Sequence, residues 1–159
     1  MALPENIPLA GGTVTVRRAV ATDVPTIVRL LAADQLGATR DGGDPAPYLR
    51  AFAAVDADPA HLLVVATWHG EVVGTLQLSV IPGLARRGAL RAQVEAVRVD
   101  AGHRDKGLGS AMLGWAVEEA RSRGCALVQL TTDKRRTDAR RFYERLGFTA
   151  SHEGMKLFL

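Results

Sequence analysis

The sequence predicts one domain of mixed α/β (α+β) class, a mostly antiparallel sheet of six to seven strands flanked by about four helices. Three observations lead there. Segments with the two-residue period of half-buried strands are interspersed with segments of helical period. Leu62–Trp68 and Val72–Val80 bracket the turn His69-Gly70-Glu71, the pattern of an antiparallel hairpin. A chain of 159 residues is long enough for one hydrophobic core and short for two.

The elements follow in order. Residues 1–12 carry two prolines and a Gly-Gly pair and read as a flexible N-terminal tail, leaving 13–159 as the domain. Thr13–Arg18 alternates as a first strand, with Val14 and Val16 on one face. Thr22 or Asp23 caps a helix that tolerates Pro25 in its first turn and buries Val24, Ile27, Val28 and Leu31. Gly, Asp and Pro make 37–47 a loop, and Pro47–Val55 is a second helix. After the hairpin come a basic loop, Pro82–Gly88, and a strand over Leu90–Val99. Leu108, Ala111, Met112, Trp115 and Ala116 recur at helical spacing, so a helix runs from Leu108 to Arg123 and stops at Gly124. Ala126–Thr131 is a short apolar strand. Thr137–Leu146 is a helix turning Ala139, Phe142, Tyr143 and Leu146 inward and ended by Gly147. Phe148–Leu159 is expected to close as a hairpin around Glu153-Gly154.

Composition narrows the function classes. No apolar run approaches the roughly 20 residues that span a bilayer. The first twelve residues lack a basic segment followed by an apolar one. A single cysteine, Cys125, suits a reducing compartment. The expected setting is the cytoplasm, with no membrane partner. The net charge of +3 is concentrated in Arg86–Arg87–Arg91 and Lys134–Arg135–Arg136. Neither cluster is interleaved with the aromatic residues on which single-stranded nucleic acid stacks, so nucleic acid is not the expected partner. A small polyanion explains such clusters equally well. His61, His69, His103 and His152 have no metal-ligand spacing, and no metal is expected.

The segment His103-Arg104-Asp105-Lys106-Gly107-Leu108-Gly109-Ser110 joins the end of a strand to the start of the long helix. Unpaired N–H groups there, with the positive end of the helix dipole, suit a phosphate or pyrophosphate. Gly107 and Gly109 bear no side chains where an anion would approach, and Arg104 and Lys106 add charge. Spacing alone leaves an ordinary loop equally open. It does exclude two nucleotide folds. No Gly-Lys-Ser/Thr follows as in a P-loop, and Met112 stands where a Rossmann fingerprint has its third Gly or Ala.

Arg104-x-x-Gly107-x-Gly109 resembles the Arg/Gln-x-x-Gly-x-Gly/Ala pyrophosphate signature of the GCN5-related N-acetyltransferase (GNAT) family. The preceding Val94-Glu95-Ala96-Val97-Arg98-Val99 looks like that family's fourth strand. About forty residues on, Phe142-Tyr143-Glu144-Arg145-Leu146-Gly147-Phe148 is similar to its aromatic-Tyr-Glu-x-x-Gly-Phe helix end. The order of elements agrees over 13–159. The stretch from Leu130 to Tyr143 also looks similar to bacterial aminoalkylphosphonate acetyltransferases.

The resemblance implies an acetyl-coenzyme A-dependent N-acetyltransferase acting on a primary amine of a small molecule. Protein amino-terminal or lysine acetylation, or a catalytically silent acyl-coenzyme A sensor, are its alternatives. It implies a sheet splayed at a bulge over Val97, Arg98 and Val99, where pantetheine pairs with backbone like an added strand. Amides of Arg104, Asp105, Lys106, Gly107, Leu108, Gly109 and Ser110 would wrap the pyrophosphate. Asp105 stands where relatives commonly have Gly, and Asp138 stands near an Asn that often meets pantetheine. Glu95 matches the carboxylate that deprotonates the amine, which is mostly charged at neutral pH, and a partly buried Glu with a raised pKa would suit that task. Tyr143 matches the acid that assists the departing thiolate. On the residues alone, Tyr143 is equally a core side chain and Glu95 a paired structural carboxylate. Arg86, Arg87 and Arg91 carry no acid among them, so they read either as a solvated loop or as a rim favouring an amine with an anionic group. The splay leaves an edge on which two copies can pair as a homodimer, although no residue specifies the interface.

Overall fold

The computed structural model describes residues 3–34 and 37–159. Six strands form one sheet in chain order: β1 (Glu5–Leu9), β2 (Gly12–Arg18), β3 (His61–Trp68), β4 (Glu71–Ile81), β5 (Leu90–Val99) and β6 (Cys125–Leu130). Neighbours from β1 to β5 pair antiparallel, and β5 pairs parallel with β6. The long helices are α1 (Val24–Ala32), α2 (Ala46–Ala57), α4 (Leu108–Ser122) and α5 (Thr137–Arg145). A single turn, α3 (Ala85–Gly88), holds Arg86 and Arg87 at positive φ. The mixed, mostly antiparallel sheet with four long helices is the class read from the sequence. No helix among the described residues is long and apolar enough to cross a membrane.

Strand alternation divides the core between two faces. Val14, Val16, Leu62, Val64, Leu76, Leu78 and Val94 pack against Leu108, Met112, Leu113, Trp115 and Ala116 of α4. The other face is smaller, with Val65 and Leu63 against Ile27 and Leu31 of α1 and Phe52 of α2. Gly74 lets α4 approach β4, since a Cβ there would stand 2.8 Å from the sulfur of Met112. The connection from β2 to α1 is fastened by Arg17, whose guanidinium donates to both oxygens of Asp23 at 2.7 and 2.9 Å. The Val20 amide adds a third bond at 2.8 Å.

That clasp predicts a pH-dependent stability. Hydrogen bonding from Arg17 leads the causes that hold the Asp23 carboxyl below its ordinary pKa, against desolvation. A lowered folded pKa means the stabilisation is present above about 3.9, the unfolded value, and is lost as pH falls through the folded one. Asp23→Asn is expected to lower the unfolding free energy by about 1–3 kcal/mol at pH 7. In urea melts the gap from the parent protein narrows at pH 3; an equal gap at both pH values contradicts this account.

Two segments depart from the sequence reading. The expected N-terminal tail instead contributes β1, paired from Glu5↔Val16 to Leu9↔Gly12. Ile7 and Leu9 pack on the α4 face of the core, and Gly11 at φ +100 makes the turn. Pro8 lacks an N–H for the ladder and is accommodated because β1 is the sheet edge. At the other end, the expected hairpin over Phe148–Leu159 does not form, and no residue after α5 is in a strand. Met155, Leu157 and Phe158 are exposed, and the outer edge of β6 pairs with no described strand.

Candidate active site

The site grows from a change of partner along β5. Its parallel pairing with β6 runs from Leu90↔Cys125 to Val94↔Leu130 and stops, whereas pairing with β4 continues to Gly74↔Val99. Beyond Val94 the two strands therefore part. The register with β4 steps from Gln77↔Glu95 to Thr75↔Arg98, so β5 carries one extra residue there. Ala96 absorbs it at φ +54, a left-handed conformation unusual for a residue with a Cβ. The bulge thus begins at Ala96, just before the expected Val97–Val99. Val97 and Val99 pack against the α4 face. Their carbonyls accept from side chains, Val97 O from Arg98 Nη1 at 2.9 Å and Val99 O from Arg104 Nε at 3.3 Å.

Past β5 the chain turns through Ala101–His103, where the Asp100 side chain accepts from the Gly102 amide at 3.0 Å. Arg104, Asp105, Lys106 and Gly107 are exposed, and Lys106 Nζ donates to Gly102 O at 2.8 Å. Asp105 (φ +60) and Gly107 (φ +81) are both left-handed, and Gly107 starts α4 with no side chain capping it. The first amides of α4, from Leu108 to Ser110, thus lie at an uncapped helix start beside exposed Arg104 and Lys106. The Leu108 side chain itself is core.

Tyr143 flanks the splay from α5. Its ring packs on Phe142 and Phe148, with centroids 5.3 and 6.0 Å away. Its hydroxyl makes no hydrogen bond among the described residues. Burial pushes its pKa up, and Arg136 and Arg98 oppose that.

The acetyltransferase (GNAT) family model matches residues 27–148. The chain belongs to the GNAT family. It is 38% identical over 101 residues to an aminoalkylphosphonate N-acetyltransferase of Salmonella typhimurium, covering 64% of this chain and 65% of that protein. It is 37% identical over 90 residues to a glucosamine 6-phosphate N-acetyltransferase of Trypanosoma brucei brucei, covering 57% and 59%. Both alignments span less than two thirds of the relative. A solved structure called a transcriptional regulator, from Bacillus halodurans, shares 46% identity at a TM-score of 0.89, covering 92% of this chain and 99% of that one.

Within this GNAT domain the nominated residues fall into groups. Val97, Arg98, Val99 and Tyr143 meet at the splay, and 104–110 adjoins it at the start of α4. Glu95 lies one residue before the bulge but is exposed, contrary to the expected partial burial. It pairs with Gln77 on the α1 side of the sheet, where no β6 residue lies opposite. Asp138 does not point at the splay. It is 99% exposed in the first turn of α5, 4.0 Å from Arg141, off the stripe formed by Ala139, Phe142 and Tyr143. Gly109 has a packing reason for its missing side chain, since a Cβ would stand 3.3 Å from the Phe142 ring. Leu146 is exposed rather than inward. Arg86 and Arg87 are exposed on α3, before β5 begins. Arg91 is five residues from Ala96, about 17 Å along the strand at ~3.4 Å per residue.

Sequence reasoning missed one cluster. Asp34, just past α1, lies with Oδ2 3.4 Å from Arg98 Nε and 3.0 Å from Arg136 Nη2. Separations of 64 and 102 residues left no local signal for it.

Proposed function

We propose that the protein is an acetyl-coenzyme A-dependent N-acetyltransferase that transfers the acetyl group directly to a primary amine of a small molecule. The observation that carries this reading is the splay between β5 and β6, with the Tyr143 hydroxyl and the start of α4 on its margins. An extended pantetheine arm fits beside Val97 and Val99 as an added strand, its amides exchanging with the side-chain donors that now hold those carbonyls. The pyrophosphate is then received by the amides from Arg104 to Ser110, with Arg104 and Lys106 supplying charge. Glu95 takes one proton of the ammonium group through water, and the free amine attacks the thioester carbonyl. As the tetrahedral intermediate expels the thiolate, Tyr143 protonates it, the surplus proton on the new amide nitrogen then restoring the phenol. The names of the two curated relatives, a phosphonate and a phosphate ester, support an acceptor with an anionic group.

Thiol release from acetyl-coenzyme A across a panel of amines tests the reaction, and release with none of them removes it. Gly107→Val tests coenzyme placement. At φ +81 a β-branched residue is strained and disturbs the amides around it. Its coenzyme Kd is expected to rise at least ~10-fold, or 1.4 kcal/mol, and unchanged calorimetric affinity in a folded variant contradicts the placement.

The name of the Bacillus structure prompts a nucleic-acid reading of the basic clusters. It predicts salt-sensitive DNA retention that coenzyme A does not displace. The exposed Met155, Leu157 and Phe158, together with the outer edge of β6, favour a homodimer, which sedimentation would reveal.

A further inference from the structure

We propose that Arg98 and Arg136, bridged by Asp34, form the subsite that receives the anionic end of the amine acceptor, a phosphonate, phosphate or carboxylate. The inference rests on the reading of acetyl transfer to a small amine and adds the residues that select it. Arg98 follows the bulge on the sheet face of Glu95, and its side chain is only 13% exposed. Its Nε is buried with no hydrogen-bond partner, 3.4 Å from a carboxylate oxygen that Arg136 holds more closely at 3.0 Å.

The local charge is unbalanced. Arg136 and Arg40 both add positive potential at Arg98, and Asp34 is the acid that opposes them there. One carboxylate between two guanidinia leaves a net positive charge in a half-buried place, with desolvation acting against the Arg98 cation. An arriving oxyanion relieves that imbalance and gives the unpartnered Nε an acceptor, in the bidentate geometry guanidinium favours. Position agrees with the role. The same two arginines bear on Tyr143, so an anion held between them sits beside the group expected at the thioester. The coenzyme loop is on the α4 side of β5, and Asp34 follows α1, which packs on the other. The cluster therefore faces the acceptor rather than the pyrophosphate. Arg86, Arg87 and Arg91, the arginines first singled out in the sequence, lie toward the far end of β5 from the bulge.

The test compares kcat/KM for 2-aminoethylphosphonate with that for propylamine, using Arg136→Gln and Asp34→Asn, and follows methylphosphonate binding by calorimetry. Arg136 is the more exposed of the pair, and Asn at 34 keeps the oxygen that accepts from the Gly37 amide at 2.6 Å. In Arg136→Gln the phosphonate-to-propylamine ratio is expected to fall at least ~10-fold and methylphosphonate binding to weaken in step. In Asp34→Asn the ratio is expected to rise, because the internal competitor for the guanidinia has lost its charge. A purely structural bridge predicts that both variants slow the two amines equally, and that result overturns the subsite while leaving the reaction standing. Methylphosphonate binding that depends on Arg136, with no acetyl transfer to any amine, keeps the anion site and removes the reaction. A wild type that prefers propylamine and binds no methylphosphonate overturns the proposal outright.

Discussion

Tyr143→Phe is expected to lower kcat by about 10²-fold while changing coenzyme affinity and stability little. The phenol ring is held by Phe142 and Phe148, contacts that Phe retains. The hydroxyl has no protein partner among the described residues, so removing it breaks no hydrogen bond of the fold. Burial raises its pKa and the two arginines pull against the rise, leaving a protonated hydroxyl at neutral pH. Such a group can deliver a proton to a departing thiolate, and it ceases to do so only at alkaline pH. The sign is consistent for stability too. A raised folded pKa favours the folded state below the ordinary value of about 10, and that contribution is lost as pH rises through the folded value. The decisive measurement is kcat with the pH profile: loss of turnover with an unaltered melting temperature supports the acid role. Turnover matching the parent across the profile shows that the hydroxyl donates nothing.

Glu95→Gln carries the second large effect, a fall in kcat of about 10²-fold, the lower end of what general-base catalysis contributes. The effect sits at the lower end because the carboxylate is exposed and, in the proposed mechanism, takes the proton through water. The substitution keeps size and hydrogen-bonding capacity, so coenzyme affinity is expected to stay near that of the parent and the acidic limb of the pH–rate profile to disappear. If kcat and the profile are both unchanged, the proton leaves by another route, such as a water held by backbone near the bulge. The outcome bears on how much the enzyme relies on its own base, because an acceptor with a neighbouring anion also changes the charge that the leaving proton sees.

Whatever depends on near neighbours in the chain is legible in the residues alone. The apolar spacing from Leu108 to Ala116, the His69-Gly70 turn and the stop at Gly124 specify their elements through local geometry. The glycine loop from Arg104 to Ser110 and the Phe142–Phe148 motif together sufficed to identify the family. Strand pairing and packing set whatever depends on residues far apart. Residues 5–9 have weak strand character, and only pairing with β2 and packing against α4 hold them in β1. Alanine has no preference for a left-handed conformation, so nothing at position 96 announced the bulge; the sheet on one side and the splay on the other impose it. Helical rotation of α5 as packed turned Asp138 to solvent and Tyr143 to the splay. The meeting of Asp34, Arg98 and Arg136 joins the end of α1, the bulge of β5 and the start of α5. Coulombic forces act through space whereas sequence patterns register only separation along the chain, and three charges brought together from such distances leave no pattern to read.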